Sequence, residues 1–292
     1  MSQPPEEFSR VVETWRPAAT SVEGRIDEWS VRAIAALLGA AAPLTGQPLP
    51  LTWHEVQLHE APALGELGPD GHPLGGLLPP LSARQRRFGG GLVEVLAPLS
   101  VGAAATRVSR VADVRLRVGR SGWLLLVTEE HDIVSEGLLR VRDRRDIVYR
   151  AAADMRHGAA GAPADLPAGP PPGAVTMTLD PDARLLFMYS ALTYNAHRIH
   201  YDPDYVRDVE GHGRLLVHGP LIATACAEVA QRAVGELRSL EYRLVAPAFV
   251  GASVTFHAQR ADDGACSVWA TQDGQVCARG TARKRRQLLD RR

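Results

Sequence analysis

Residues 219–236 read G-P-L-I-A-T-A-C-A-E-V-A-Q-R-A-V-G-E, and this stretch decides the fold. Leu221, Ile222, Ala225, Cys226, Val229, Ala233 and Val234 recur at helical spacing, while Glu228, Gln231, Arg232 and Glu236 hold one polar strip. Pro220 suits a first helical turn because its missing N–H costs nothing there. Small residues dominate the early turns and let other backbone approach closely. The pattern predicts a largely buried helix wrapped by a curved sheet, ended by Gly235 and followed by a strand over 240–245.

Working outward, residues 246–252 (A-P-A-F-V-G-A) match residues 97–103 (A-P-L-S-V-G-A). Each copy follows an apolar segment containing a glutamate, Glu94 or Glu241, and each leads into alternating sequence. Two short loops agreeing by chance is the alternative to duplication, with Pro and Gly setting the same turn twice. After the first copy, 106–117, 123–128 and 146–149 read as strands; after the second, 253–259, 265–271 and 276–281 do, with Gly264 and Gly274 at turns. Between them, 158–173 (G-A-A-G-A-P-A-D-L-P-A-G-P-P-P-G) has almost nothing to bury and reads as an extended linker. The chain therefore divides into 1–157, a linker over 158–173, and 174–292. One long helix enclosed by antiparallel sheet, present twice, predicts an α+β tandem (double) hotdog. In the first half, Asp27 caps a helix to Leu38, with Val31, Ile34, Ala35 and Leu38 on one stripe. The first half's central helix looks degenerate, its candidate being 53–59.

Bulk properties narrow the function. The 292 residues carry 33 Lys+Arg against 33 Asp+Glu, without the basic excess that nucleic-acid binding calls for. The terminal run Arg283, Lys284, Arg285, Arg286, Arg291, Arg292 reads as a solvated end or, alternatively, a contact for ligand phosphates. Cys226, Cys266 and Cys277 have no C-x-x-C spacing, which argues against a zinc site or disulfide framework and fits a reducing compartment. The polar, acidic N-terminus lacks a signal-peptide stretch and no run is long enough to span a bilayer, so no membrane association and a cytoplasmic location are expected. A glycine-rich dinucleotide loop is absent from the sequence as well.

The chemistry concentrates in 189–200 (Y-S-A-L-T-Y-N-A-H-R-I-H) and 217–221 (V-H-G-P-L). His200 can accept and return a proton near neutral pH. Gly219 opens the buried helix, where N–H groups without internal partners and the dipole would stabilise negative charge on an oxygen. The plainer readings are a core histidine and an ordinary glycine cap.

These residues resemble the MaoC-like (R)-specific enoyl-CoA hydratase family, whose signature is D-x-N-P-x-H shortly before a central helix. Aligning its final His on His200 puts the family's Asp on Asn195, its Asn on His197 and its Pro on Arg198, three departures. T-Y-N-A-H-R-I-H-Y-D, V-E-G and V-H-G-P-L are similar to the mesaconyl-C4-CoA (3-methylfumaryl-CoA) hydratase branch. So are 51–54 (L-T-W-H), 66–73 (E-L-G-P-D-G-H-P), 77–80 (L-L-P-P) and 146–150 (D-I-V-Y-R).

The resemblance implies a hydro-lyase adding water to an α,β-unsaturated acyl-CoA, foremost mesaconyl-C4-CoA to citramalyl-CoA. Itaconyl-CoA hydration and 3-hydroxyacyl-thioester dehydration are the near alternatives; a hotdog thioesterase or a non-catalytic acyl-CoA-binding protein are the distant ones. It implies His200, Asn195 and Gly219 as catalytic, with Asn195 orienting water unless Asp202 supplies the missing carboxylate. Arg198 is expected to pair with a free carboxylate of the acyl group, with Arg243 and His197 as weaker candidates. Tyr189 and Tyr194 are expected to bond water or substrate or else to pack the core, and Trp53 to wall the acyl pocket or sit in the first half's core. No metal or cofactor is expected beyond CoA as part of the substrate. The first half is expected to shape the acyl pocket, and a homodimer is expected through exposed sheet edges.

Overall fold

The computed structural model describes residues 3–82, 85–119, 122–150, 170, 172–261 and 264–285. The first half contains α1 (Glu6–Thr14), β1 (Thr20–Arg25), α2 (Glu28–Leu38), β2 (Gln85–Val95), β3 (Ala104–Gly119), β4 (Gly122–Ser135) and β5 (Leu138–Arg150). The second contains β6 (Val175–Leu179), α3 (Ala183–Thr193), α4 (Pro203–Asp208), α5 (Gly219–Val234), β7 (Leu237–Leu244), β8 (Val254–Arg260), β9 (Ala265–Gln272) and β10 (Gln275–Lys284). The ten strands form one antiparallel sheet in the order β1-β3-β4-β5-β2-β7-β10-β9-β8-β6. Its left side, 1-3-4-5-2, is its right side, 6-8-9-10-7, carried five strands along the chain.

Backbone bonds repeat as well as strand order. Asp27 accepts from the Ser30 N–H at 2.7 Å and caps α2, as Asp182 accepts from the Leu185 N–H at 2.9 Å and caps α3. Both helices end on a left-handed residue, Gly39 (φ 59°) and Tyr194 (φ 48°). The two A-P-x-x-V-G-A loops join β2 to β3 and β7 to β8. Gly102 and Gly251 sit at φ 83° and 85°, in the left-handed region glycine tolerates. Gly102 N–H donates to Ile26 O at 2.9 Å, and Gly251 N–H to Pro181 O at 3.1 Å. Leu49 N–H donates to Leu99 O at 2.7 Å, and Val217 N–H to Ala248 O at 2.8 Å. These pairs align Leu49 with Val217, and therefore Leu51 with Gly219 and Trp53 with Leu221.

The central helix obeys its sequence. Every residue from Leu221 to Ala230 is buried in α5, packed on β6 to β10. Leu221, Ala225, Cys226 and Val229 share a core with Val254, Phe256, Val268 and Cys277. Glu228 is held by Arg232 at 2.9 Å, and Arg232 also donates to Leu38 O and Gly39 O at the end of α2. At the equivalent position the first half has only a 3-10 turn, Trp53–Val56. The degenerate helix expected over 53–59 is thus a single turn, and only a second 3-10 turn, Leu64–Glu66, follows it before β2 among the described residues. The strands expected over 106–117, 123–128, 146–149, 265–271 and 276–281 lie inside longer ones. Those expected over 240–245 and 253–259 overlap β7 and β8 with one residue outside, and β1, β2, β6, α1, α3 and α4 were not predicted. Most of the linker expected over 158–173 falls outside the described residues. No described helix is long and apolar enough to cross a membrane.

Candidate active site

The two halves diverge just after α2 and α3. Ala40 N–H returns to Ala35 O and Asn195 N–H to Ser190 O, both at 2.9 Å, so these residues correspond. From there the first half goes from Ala40 to Leu49, but the second takes a longer path from Asn195 to Val217. That path holds a 3-10 turn, Arg198–His200, and α4. It brings four imidazoles into a row. His72 and His197 have ring centroids 4.0 Å apart, His197 and His200 5.6 Å, and His200 and His218 are stacked at 3.5 Å.

His200 is 6% exposed. Its Nδ1 lies 2.8 Å from Leu216 O, which can only accept, so Nδ1 carries the proton and Nε2 keeps its lone pair. Burial pushes its pKa down to about 4, against the opposing pull of the Leu216 bond, and His72 lowers it further. At neutral pH the ring is therefore an unprotonated base. His218, fully buried directly before α5, meets Ser190 Oγ through Nε2 at 2.9 Å. Burial and then His200 hold it well below the ordinary histidine value. Two neutral rings stack where two imidazolium ions would repel.

Gly219 stands at the start of α5, where a side chain would be crowded. A Cβ would meet Leu244 Cδ1 at 2.6 Å and Phe88 Cβ at 3.0 Å. The N–H groups of Gly219 and Leu221 have no acceptor within the helix. His200, His197, His72, Asn195, Tyr189 and Gly219 border one cavity of about 1520 Å³.

The first half contributes through 66–73, the E-L-G-P-D-G-H-P segment. Asp70 O accepts from the Arg198 N–H at 3.0 Å. Gly71, at φ 88°, lies so close to the second half's longer path that a Cβ would fall 1.8 Å from Ala196 O. His72 follows, its Nδ1 3.3 Å from Asp70 Oδ2 and its Nε2 3.5 Å from the Arg86 guanidinium. His72, Asp70, Arg86 and His218 were not singled out from the sequence. Nothing local in a glycine-rich turn signals that it will reach residues more than a hundred positions away.

The remaining sequence candidates separate into two groups. Asn195 borders the cavity, with Oδ1 accepting the His197 N–H at 3.0 Å, so its NH₂ is the group left for a ligand. His197 presents an Nε2 with no hydrogen-bond partner among the described residues. Tyr189 is buried against His218, ring centroids 4.9 Å apart, while Tyr194 stands 57% exposed at the cavity's edge. The others lie elsewhere. The Arg198 guanidinium is not at the cavity: it holds Asp202 Oδ2 at 2.7 and 3.0 Å, donates to Pro69 O at 3.0 Å and covers the Tyr205 ring. A partner four residues away captured it, contrary to the expected clamp. Asp202 accepts the Tyr205 N–H and caps α4, which with Arg198 keeps its carboxyl below the usual range and removes it as the substitute acid. Arg243 pairs with Asp146 outside the cavity. Trp53 is fully buried in the core, not on the pocket wall.

The cavity continues over the first half's concave face, bordered by Glu55, His59, Arg107, Ser109, Glu129, His131 and Arg145. His54, Glu55 and Asp143 bring ligand atoms within 4.8 Å of one another. Arg145 already pairs with both carboxylates and His54 Nε2 with Asp143 at 3.0 Å, so this donor set is an ion network.

Comparison with known proteins bears on this geometry. The chain is 38% identical over 214 residues to the mesaconyl-C4-CoA hydratase of Chloroflexus aurantiacus, covering 72% of this chain and 74% of that one. Among solved structures, a MaoC-like dehydratase from Phytophthora capsici superposes with a TM-score of 0.68 at 13% identity, over 98% of this chain and 99% of that one. A Mycobacterium tuberculosis protein with a double hotdog fold gives 0.55 at 17%, over 94% and 97%. The family model for hydroxyacyl-thioester dehydratase type 2 matches residues 52–250, from the vestigial turn of the first half to the second A-P-x-x-V-G-A loop. With the tandem hotdog, the histidine row and this match in agreement, the chain is a hydro-lyase and belongs to the hydroxyacyl-thioester dehydratase type 2 family.

Proposed function

We propose that the protein reversibly hydrates mesaconyl-C4-CoA to citramalyl-CoA, with the second half carrying the chemistry and the first shaping the acyl pocket. The observation that carries this reading is that the bare Nε2 of His200 and the opening turn of α5 border one cavity. In the hydration direction, a water O–H breaks and its proton passes to His200 Nε2. The water oxygen bonds the β-carbon, and the π electrons move onto the thioester oxygen. That oxygen is stabilised by the first N–H groups of α5 and its dipole, at a glycine that permits close approach. His200 then returns the proton to the α-carbon. Asn195, an amide, positions the water through its NH₂.

The choice of acyl group draws on the relative from Chloroflexus aurantiacus, itself named for mesaconyl-C4-CoA. A charged inner lining favours an acyl group with a carboxylate over a fatty chain, which would leave those charges desolvated. The same reading takes the enzyme as a cytoplasmic homodimer needing no cofactor, and β1 and β6 are the outer strands available for pairing. The test is to incubate the protein with mesaconyl-C4-CoA and with crotonyl-CoA while following enoyl absorbance and free thiol. Hydration removes absorbance without releasing thiol. Thiol release would assign a thioesterase, and no change in either signal would leave only binding.

A further inference from the structure

The inner part of the cavity holds a cation that no described carboxylate contacts as an ion pair. Arg107 on β3, Ser109 two residues on, His131 on β4 and Arg145 on β5 border the same space, which the first half leaves open by reducing its central helix to one turn. The acids there are largely committed. Arg145 holds Asp143 and Glu55, and Arg86 lies 3.6 Å from Glu129. Among the described residues, no carboxylate comes within ion-pair distance of Arg107. Its contact is neutral: Nη2 to His131 Nδ1 at 3.2 Å, a nitrogen also met by Ser109 Oγ at 2.8 Å.

One further group is unsatisfied beside it: the Nε2 of His59 is buried without a hydrogen-bond partner among the described residues, whereas His131 Nε2 faces Glu129 Oε2 at 3.5 Å. Burial, then Arg107 and Arg145, pushes the His59 pKa down to about 3, so this ring is neutral and can present an N–H without adding charge. Burial and then Arg145 lower the Arg107 pKa, and the pull of Glu55, Asp143 and Glu129 from beyond ion-pair distance does not offset them. A shielded guanidinium still keeps its proton, and leaving one unpaired is costly unless a ligand supplies the negative charge.

We propose that Arg107, with His59 and Ser109 beside it, is the subsite for the free carboxylate of a short dicarboxylic acyl group, and so the residue that sets acyl specificity. This rests on the acyl-CoA reading above and assigns to Arg107 the clamp that the sequence suggested for Arg198. The alternative source of negative charge is a phosphate of CoA, and the test separates the two.

Binding is measured by isothermal titration calorimetry for succinyl-CoA, glutaryl-CoA, butyryl-CoA and CoA alone. Wild type should bind at least one dicarboxylic ester about 10- to 100-fold tighter than butyryl-CoA, the range of one charged hydrogen-bonded contact. Arg107→Gln should abolish that preference and leave butyryl-CoA and CoA affinities unchanged, which also shows that the variant is folded. Arg107→Lys should keep part of it. The proposal is overturned if wild type shows no preference, if the preference survives Arg107→Gln, or if all four ligands weaken together, the pattern of a CoA contact or a structural role. Because these esters are not hydrated, a preference that depends on Arg107 stands even if the enoyl-CoA assay fails.

Discussion

The chain builds the same junction twice and uses it for opposite ends. In the second half, Val217 bonds Ala248 O and the chain enters α5 through His218 and Gly219. In the first, Leu49 bonds Leu99 O and the chain runs through Leu51 and Thr52 into the single turn Trp53–Val56. One junction opens a buried sixteen-residue helix at a glycine; the other places a leucine and a tryptophan in the core. The turn is then tied to the sheet by His54 to Asp143 and Glu55 to Arg145. What the first half gives up in helix it returns as cavity. On the proposed function, chemistry gathers at one copy of a duplicated junction, and room for the substrate is made at the other.

This contrast is testable from its strongest consequence downward. Removing the proposed base by His200→Ala should lower kcat on the enoyl-CoA by about 10²- to 10⁴-fold, the ordinary worth of a positioned acid–base group. Circular dichroism and Tm of the variant will show whether the loss is chemical. Next comes the same position in each copy. Gly219→Ala puts a methyl group against Leu244 and Phe88, costing about 1–3 kcal/mol of strain and displacing the oxyanion amides, so kcat should fall together with stability. Leu51→Ala, its counterpart, should cost about 2–5 kcal/mol by the cavity it leaves while the kcat of the folded fraction is kept. Equal kcat losses in the two variants would end the distinction between the copies. The smallest effect belongs to Arg198→Ala. Its ion pair with Asp202 is partly exposed, such pairs contribute about 0–1 kcal/mol, and carboxylated and uncharged acyl-CoAs should be affected alike.

Much of this contrast was legible in the sequence. The small apolar residues of α5 could belong only to an enclosed helix, and two A-P-x-x-V-G-A loops announced the repeat. The strands left unread have physical reasons. In β2, Gly89, Gly90 and Gly91 look like a loop, yet β2 lies between β5 and β7, where a Cβ on Gly91 would sit 2.2 Å from Arg144 O and one on Gly90 2.3 Å from Tyr242 O. Glycine marks close strand approach there, not a turn. Within the site, His200, Asn195 and Gly219 could be placed because motif and helix start are near neighbours in the chain. His72 and Arg107 could not, since the sheet and a tight loop carry them in from the other half. Arg198 misled because its chemistry suits a carboxylate, and Asp202 supplied one locally.

The protonation state of His200 is where the account is most exposed. Nitrogen-15 NMR of the labelled protein should find, at neutral pH, a proton on Nδ1 and none on Nε2, with protonation setting in only near pH 4. Activity should then hold as pH drops below 6.5, the ordinary histidine value, and fail only as this ring gains its second proton. A midpoint near 6.5, or a proton resting on Nε2 at neutrality, would contradict the assignment of this imidazole as the waiting base.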